Sequence, residues 1–77
     1  MPQVHINGKR YTVSRDALAS TIQRYTGKGM VEARRIADRA LAGERLSLYV
    51  DDFDSVYDLE DMLMAMGINA EADESDY

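Results

Sequence analysis

Thr26-Gly27-Lys28-Gly29-Met30-Val31-Glu32-Ala33-Arg34-Arg35-Ile36-Ala37-Asp38 lies at the centre of the chain, with amphipathic helical sequence on both sides. Two glycines one residue apart interrupt otherwise helical sequence, and glycines so placed can close one helix and set the angle of the next. Lys28, Arg34 and Arg35 lie within the stretch and Arg39 follows just after it. The expectation is a helix–tight turn–helix elbow with a basic exposed side.

Upstream of the elbow, Ser14 is a good N-cap and Asp16 falls in the first helical turn, where an acid suits the helix dipole. Leu18, Ile22 and Tyr25 recur at i, i+4 and i+7 beside Ala19, which gives a first helix over about 15–26. Downstream, a second helix runs from Met30 to about Ala42 and ends at Gly43. Its apolar stripe is Met30, Ala33, Ile36, Ala37, Ala40 and Leu41, and the alanines permit close packing.

Working further outward, Val4-His5-Ile6-Asn7-Gly8-Lys9-Arg10-Tyr11-Thr12-Val13 reads as a β-hairpin. Asn-Gly is favoured in two-residue type I′ turns because both central positions need positive φ. That turn would set Val4, Ile6, Tyr11 and Val13 on one face and His5, Arg10 and Thr12 on the other. Leu46-Ser47-Leu48-Tyr49-Val50 alternates with period two and reads as a strand with Leu46, Leu48 and Val50 inward. Asp52 or Asp54 caps a third helix with the stripe Val56, Leu59, Met62, Leu63 and Met66, stopped by Gly67. Residues Ile68 to Ala72 form a short final edge strand. The order is hairpin, helix, helix, strand, helix, strand (ββααβαβ), an α+β domain over 1–72 with the helices on one face of a small sheet. An acidic tail, 73–77, is expected to be disordered.

Length and charge narrow the function. At 77 residues the chain is one domain, and burying only roughly 60% of its unfolded surface leaves a thin core. It has no cysteine, hence no disulfide staple, thiolate nucleophile or thiolate metal site. No apolar run approaches the roughly 20 residues of a membrane span, and the N-terminus lacks a secretion signal, so a cytoplasmic protein is expected. The net charge of −5 hides a division. Residues 1–45 carry nine cations against four acids, a net of +5, whereas residues 46–77 carry ten acids and no cation, a net of −10. Halves of opposite sign suit a charged partner, a homo-oligomer in which unlike halves meet, or internal pairing.

The central and C-terminal residues resemble the C-terminal domain of the bacterial ribosomal stalk protein, over about 18–72. Thr26, Gly27, Gly29, Met30, Glu32, Ala33 and Arg34 match that family's T-G-x-G motif and the helix after it. Leu59, Leu63 and Gly67, with Ile68 to Ala72 following, are similar to its acidic helix and closing strand. The N-degron adaptor of the Clp protease shares the general α/β layout. The resemblance implies a stalk-type fold and, in the family, binding of translational GTPases through basic residues flanking the elbow. Only Arg34 carries over directly. Ser20, Gln23 and Val31 stand where the family has cations, with Arg24 and Arg35 as displaced alternatives, and the Asn7-Gly8 hairpin is not a family feature. Fold alone does not transfer function.

Catalytic signals are sparse. His5, the sole histidine, sits on a polar strand face and reads as exposed or capping. Asp51, Asp52 and Asp54 could hold a hard cation but lack the spacing of a calcium loop and read as helix capping. Gly27-Lys28-Gly29 lacks the spacing of a phosphate loop or of a G-x-x-G nucleic-acid clamp. No cofactor is expected. The reading is a small non-enzymatic module, an adaptor or inhibitor, that binds another protein through charged surfaces. One candidate surface is the elbow, with Lys28, Arg34, Arg35 and Arg39. The plainer reading of those cations is a solvated face pairing with Glu32, Asp38 and Glu44. The other candidate is the third helix, where Tyr57, Asp58, Asp61 and Met64 fall off the core stripe and form an acid-rimmed apolar patch. Nucleic acid bound by the arginine-rich second helix is an alternative, as is a phage-type antagonist whose acidic helix competes for a basic surface.

Overall fold

The computed structural model describes residues 2–73. Six elements follow one another: β1 (Gln3–Lys9), α1 (Arg15–Thr26), α2 (Met30–Leu41), β2 (Arg45–Tyr49), α3 (Phe53–Met66) and β3 (Ile68–Asp73). The strands form one antiparallel sheet in the order β2-β1-β3. This is an α+β architecture of three helices and three strands, and it departs from the expected order at its N-terminus.

There is no hairpin. Residues 3–9 are one continuous central strand, flanked by β2 on one side and β3 on the other. With both edges of β1 occupied, residues 10–13 have no strand to pair with, and they lead instead to α1. Of the two positive φ values expected at Asn7 and Gly8, only that of Gly8 is present, at 78°, and it serves a β-bulge. Ile6 faces Ala70 and Lys9 faces Ile68, so Asn7 and Gly8 together oppose Asn69. The Asn69 amide donates to the Asn7 carbonyl at 3.2 Å across the bulge. Tyr11 is consequently not on the core face; it is 55% exposed, and its hydroxyl donates to the Ala65 carbonyl at 3.1 Å. Val13 does enter the core.

The elbow forms between α1 and α2. Ser14 caps α1 by accepting from the Ala17 N–H. Gly27 closes that helix in the left-handed region, φ 72°, and its N–H returns to the Gln23 carbonyl. Gly29 is different. It begins α2 at φ −68° in extended backbone, a conformation any residue adopts, and it supplies no side-chain cap.

Alternation along the strands separates two faces of the sheet. Val4, Ile6, Leu48 and Ile68 are buried beneath the helices with Leu18, Ile22, Ala33, Ala37, Ala40, Val56, Leu59 and Leu63. Leu46, Tyr25, Met30, Ile36, Leu41 and Met66 pack partly buried around them. Met62, expected inside, is exposed, because the buried side of α3 is narrower and is filled by Val56, Leu59 and Leu63. The final strand reaches Asp73, one residue beyond the expected boundary; the rest of the expected acidic tail, 74–77, lies outside the described residues. The opposite face of the sheet carries Gln3, His5, Asn7, Ser47, Tyr49, Glu71 and Asp73, and no helix of the described residues covers it.

Candidate functional site

The elbow cations do not stand free as a group. Lys28 Nζ lies 3.4 Å from Glu32 on the next turn, Arg34 reaches Asp16 of α1 at 4.0 Å, and Arg39 meets Glu44 at 3.2 Å. Arg15 also holds Asp38 at 2.8 Å. All four acids of the basic half are thus engaged, two of them across the α1–α2 interface. Exposed pairs of this kind add little stability, yet they neutralise the field that a partner would meet. Among the described residues, Arg24 and Arg35 make no ion pair. Arg35 lies with Arg34, Arg15, Asp38 and the exposed Val31 along a shallow groove.

α3 is the opposite case. Asp52 caps its N-terminus, accepting from the Ser55 N–H at 2.7 Å and the Ser55 hydroxyl at 3.0 Å. The backbone bond from Ser55, reinforced by its hydroxyl, holds the Asp52 carboxyl below its ordinary value. The acid run before α3 therefore has a capping role at this residue. At the far end the helix has no basic residue of its own in its last turn. Arg10 supplies the charge from outside by donating to the Met64 carbonyl, where a cation suits the helix dipole.

Between these ends α3 presents two strips to solvent. Phe53, Tyr57 and Met64 fall within an arc of about 40° at roughly 100° per residue, and they are 46%, 45% and 38% exposed. Glu60 lies about 20° to one side of this arc, and its carboxylate accepts the Ala72 N–H of β3 at 2.8 Å, which sets that side of the helix over the β3 edge. Asp54, Asp58 and Asp61 run alongside, all exposed, and no cation of the described residues lies within ion-pair distance of them. Tyr57, Asp58, Asp61 and Met64 are thus brought to one helix surface, and Phe53 extends it. The sequence reading missed Phe53, although its spacing of i, i+4 and i+11 with Tyr57 and Met64 was available.

A third locus was not foreseen. On the uncovered sheet face, His5 Nδ1 lies 2.8 Å from the Ser47 hydroxyl and Nε2 lies 2.9 Å from Asp73 Oδ2. A carboxylate only accepts, so a neutral His5 carries its proton on Nε2 and accepts from Ser47 through Nδ1. The three side chains tie all three strands together. His5 and Ser47 border a shallow groove of about 480 Å³ that also touches Asn7, Arg45, Asn69 and Glu71. His5 is therefore a cross-strand connector rather than an isolated surface group.

Neither a scan against protein-family models nor a search of curated proteins finds a match for this chain. Among the described residues, no helix is long and apolar enough to cross a membrane.

Proposed function

We propose that the chain is a small non-enzymatic protein-binding module, an adaptor or inhibitor, whose docking face is α3. The observation that carries this reading is the contrast in charge compensation. The cations around the elbow are largely paired with acids of their own half, whereas Asp54, Asp58 and Asp61 have no cationic partner among the described residues. Unpaired acids beside exposed Phe53, Tyr57 and Met64 suit a partner that offers both apolar side chains and positive charge. A basic protein surface has that chemistry. An inhibitor that competes for such a surface, as a phage-type antagonist would, uses the same face.

A second reading keeps the elbow. Arg35, with Val31 in its groove, and Arg24 are the elbow cations left without an ion pair among the described residues. The absence of a hairpin also removes one feature that set the chain apart from the stalk-type layout. On that reading Arg34 and Arg35 meet an acidic partner. Nucleic acid bound by the second helix is the less favoured ligand, because of Arg34, Arg35 and Arg39 only Arg35 lacks an ion pair among the described residues.

Affinity capture from the source cells with mass spectrometry separates the two. Three baits are compared: the wild type, Asp58→Lys/Asp61→Lys, and Arg34→Glu/Arg35→Glu. The α3 reading expects specific partners to be lost with the first double variant and kept with the second. The reverse pattern transfers the function to the elbow.

A further inference from the structure

Hydrogen-bond parity within the sheet distinguishes its two edges. The Val50 N–H donates to the Pro2 carbonyl at 3.1 Å, and in an antiparallel ladder directly bonded pairs alternate with unbonded ones. Val4–Leu48 and Ile6–Leu46 are therefore the bonded pairs. Arg45, Ser47 and Tyr49 turn their N–H and C=O groups away from β1, towards the outer edge of β2. On β3 the same parity turns the Ala72 N–H outward, and Glu60 has already taken it. The β3 edge is thus blunted by α3. Among the described residues nothing does the same for β2.

We propose that β2 is a self-pairing edge, joining antiparallel to β2 of a second copy about a two-fold axis at Ser47 to make one six-stranded sheet. The register follows from the residues. An odd-numbered residue must face an odd-numbered one so that both strands use the groups that β1 leaves outward. Of the registers that do so, the one centred on Ser47 pairs all five residues of β2. It sets Ser47 opposite Ser47, Arg45 opposite Tyr49 and Leu46 opposite Leu48. On the uncovered face each Arg45 guanidinium then lies beside the ring of Tyr49, which is 57% exposed in the single chain, a favourable cation–aromatic pairing made twice. On the helix face, Leu46, only partly buried in the single chain, gains the apolar side chain of Leu48. The contact is isologous, so it closes at two copies. It leaves the α3 surface out of the interface, so the dimer stands or falls independently of the docking reading.

The absence of cysteine allows a direct test by single-cysteine cross-linking. A bonded antiparallel pair holds its Cα atoms about 5.5 Å apart, inside the roughly 4.4–6.8 Å a disulfide spans. Under mild oxidation Ser47→Cys is expected to form a covalent dimer at least about tenfold faster than Arg45→Cys or Tyr49→Cys, whose counterparts lie across the axis from a different residue. Equal rates at the three positions overturn the register. Sedimentation adds a second arm that needs no cysteine. The wild type and Ser47→Ala are expected to be dimers at millimolar concentration. Ser47→Pro, which deletes an outward N–H but leaves the β1 ladder intact, is expected to be a monomer with a native circular dichroism spectrum. A wild type that sediments as a monomer throughout overturns the proposal, and that reading holds even if Ser47→Pro does not fold.

Discussion

Exchanging Gly27 and Gly29, one at a time, is expected to move stability in opposite directions. Gly27 occupies φ 72° with its N–H bonded to Gln23, and nothing lies within 4 Å of an added Cβ. The cost of Gly27→Ala is therefore purely conformational, about 1–2 kcal/mol for a side chain forced into the left-handed region. Gly29 stands at the N-cap of α2 with φ −68° and ψ 161°, again with open space around an added Cβ. Gly29→Ser puts a hydroxyl where the first orphan N–H groups of α2 need an acceptor and also restricts the unfolded chain. The gain is a few tenths of a kcal/mol to about 1 kcal/mol. For a domain of this size 1 kcal/mol shifts the melting temperature by roughly 4–8 °C. Thermal unfolding followed by circular dichroism should therefore show Tm falling by about that much or more for Gly27→Ala and rising for Gly29→Ser. Equal destabilisation by both substitutions would refute the reasoning, because it would mean that both glycines hold the elbow by conformation.

Three further outcomes follow from the packing and the charges. Leu59 is fully buried in the centre of α3, and Leu59→Ala should cost about 2–5 kcal/mol, a large part of what a domain this small has, read as a lost or sharply lowered denaturant midpoint. Asp52 has a folded-state pKa below its ordinary 3.8, so its capping contribution is complete above that value and is lost as pH falls through the lower folded one. The stability gap between wild type and Asp52→Ala should accordingly be constant near neutrality and close in acid, as measured by urea unfolding across pH. Asp58→Lys/Asp61→Lys should leave stability within about 0.5 kcal/mol per site, since both side chains are exposed and have no cationic partner among the described residues; a collapse of the fold would show that those acids have a structural role.

The helices and their ends were legible because their determinants are local. Ser14 and Asp52 cap by reaching three residues along the chain, Gly27 and Gly43 stop helices by their own φ, and the i, i+4 spacing of Leu18 and Ile22 needs no tertiary context. The N-terminal strand was misread for a physical reason. Asn7-Gly8 announces positive φ, but a turn and a bulge use it equally, and which one forms depends on whether strands 40 and more residues away claim both sides of β1, as His5–Ser47 and His5–Asp73 show. The same distance hid the Ser47–His5–Asp73 connection. The charge division between the two halves was plain in the composition. Its meaning was not, because the neutralisation of Arg34 by Asp16 and of Asp38 by Arg15 exists only once α1 packs against α2. Tyr57, Asp58, Asp61 and Met64 were found by their absence from the apolar stripe, a periodic signal, whereas the exposure of Met62 depended on how narrow the buried side of α3 turned out to be.

The claim that α3 is the docking face is tested most directly by nuclear magnetic resonance. The isotope-labelled chain is titrated with a partner recovered by affinity capture while backbone amide shifts are followed. The largest changes are expected within 53–64, centred on Phe53, Tyr57, Asp61 and Met64, and are expected to vanish for Asp58→Lys/Asp61→Lys. Changes concentrated at 24–39, with α3 undisturbed, would contradict it.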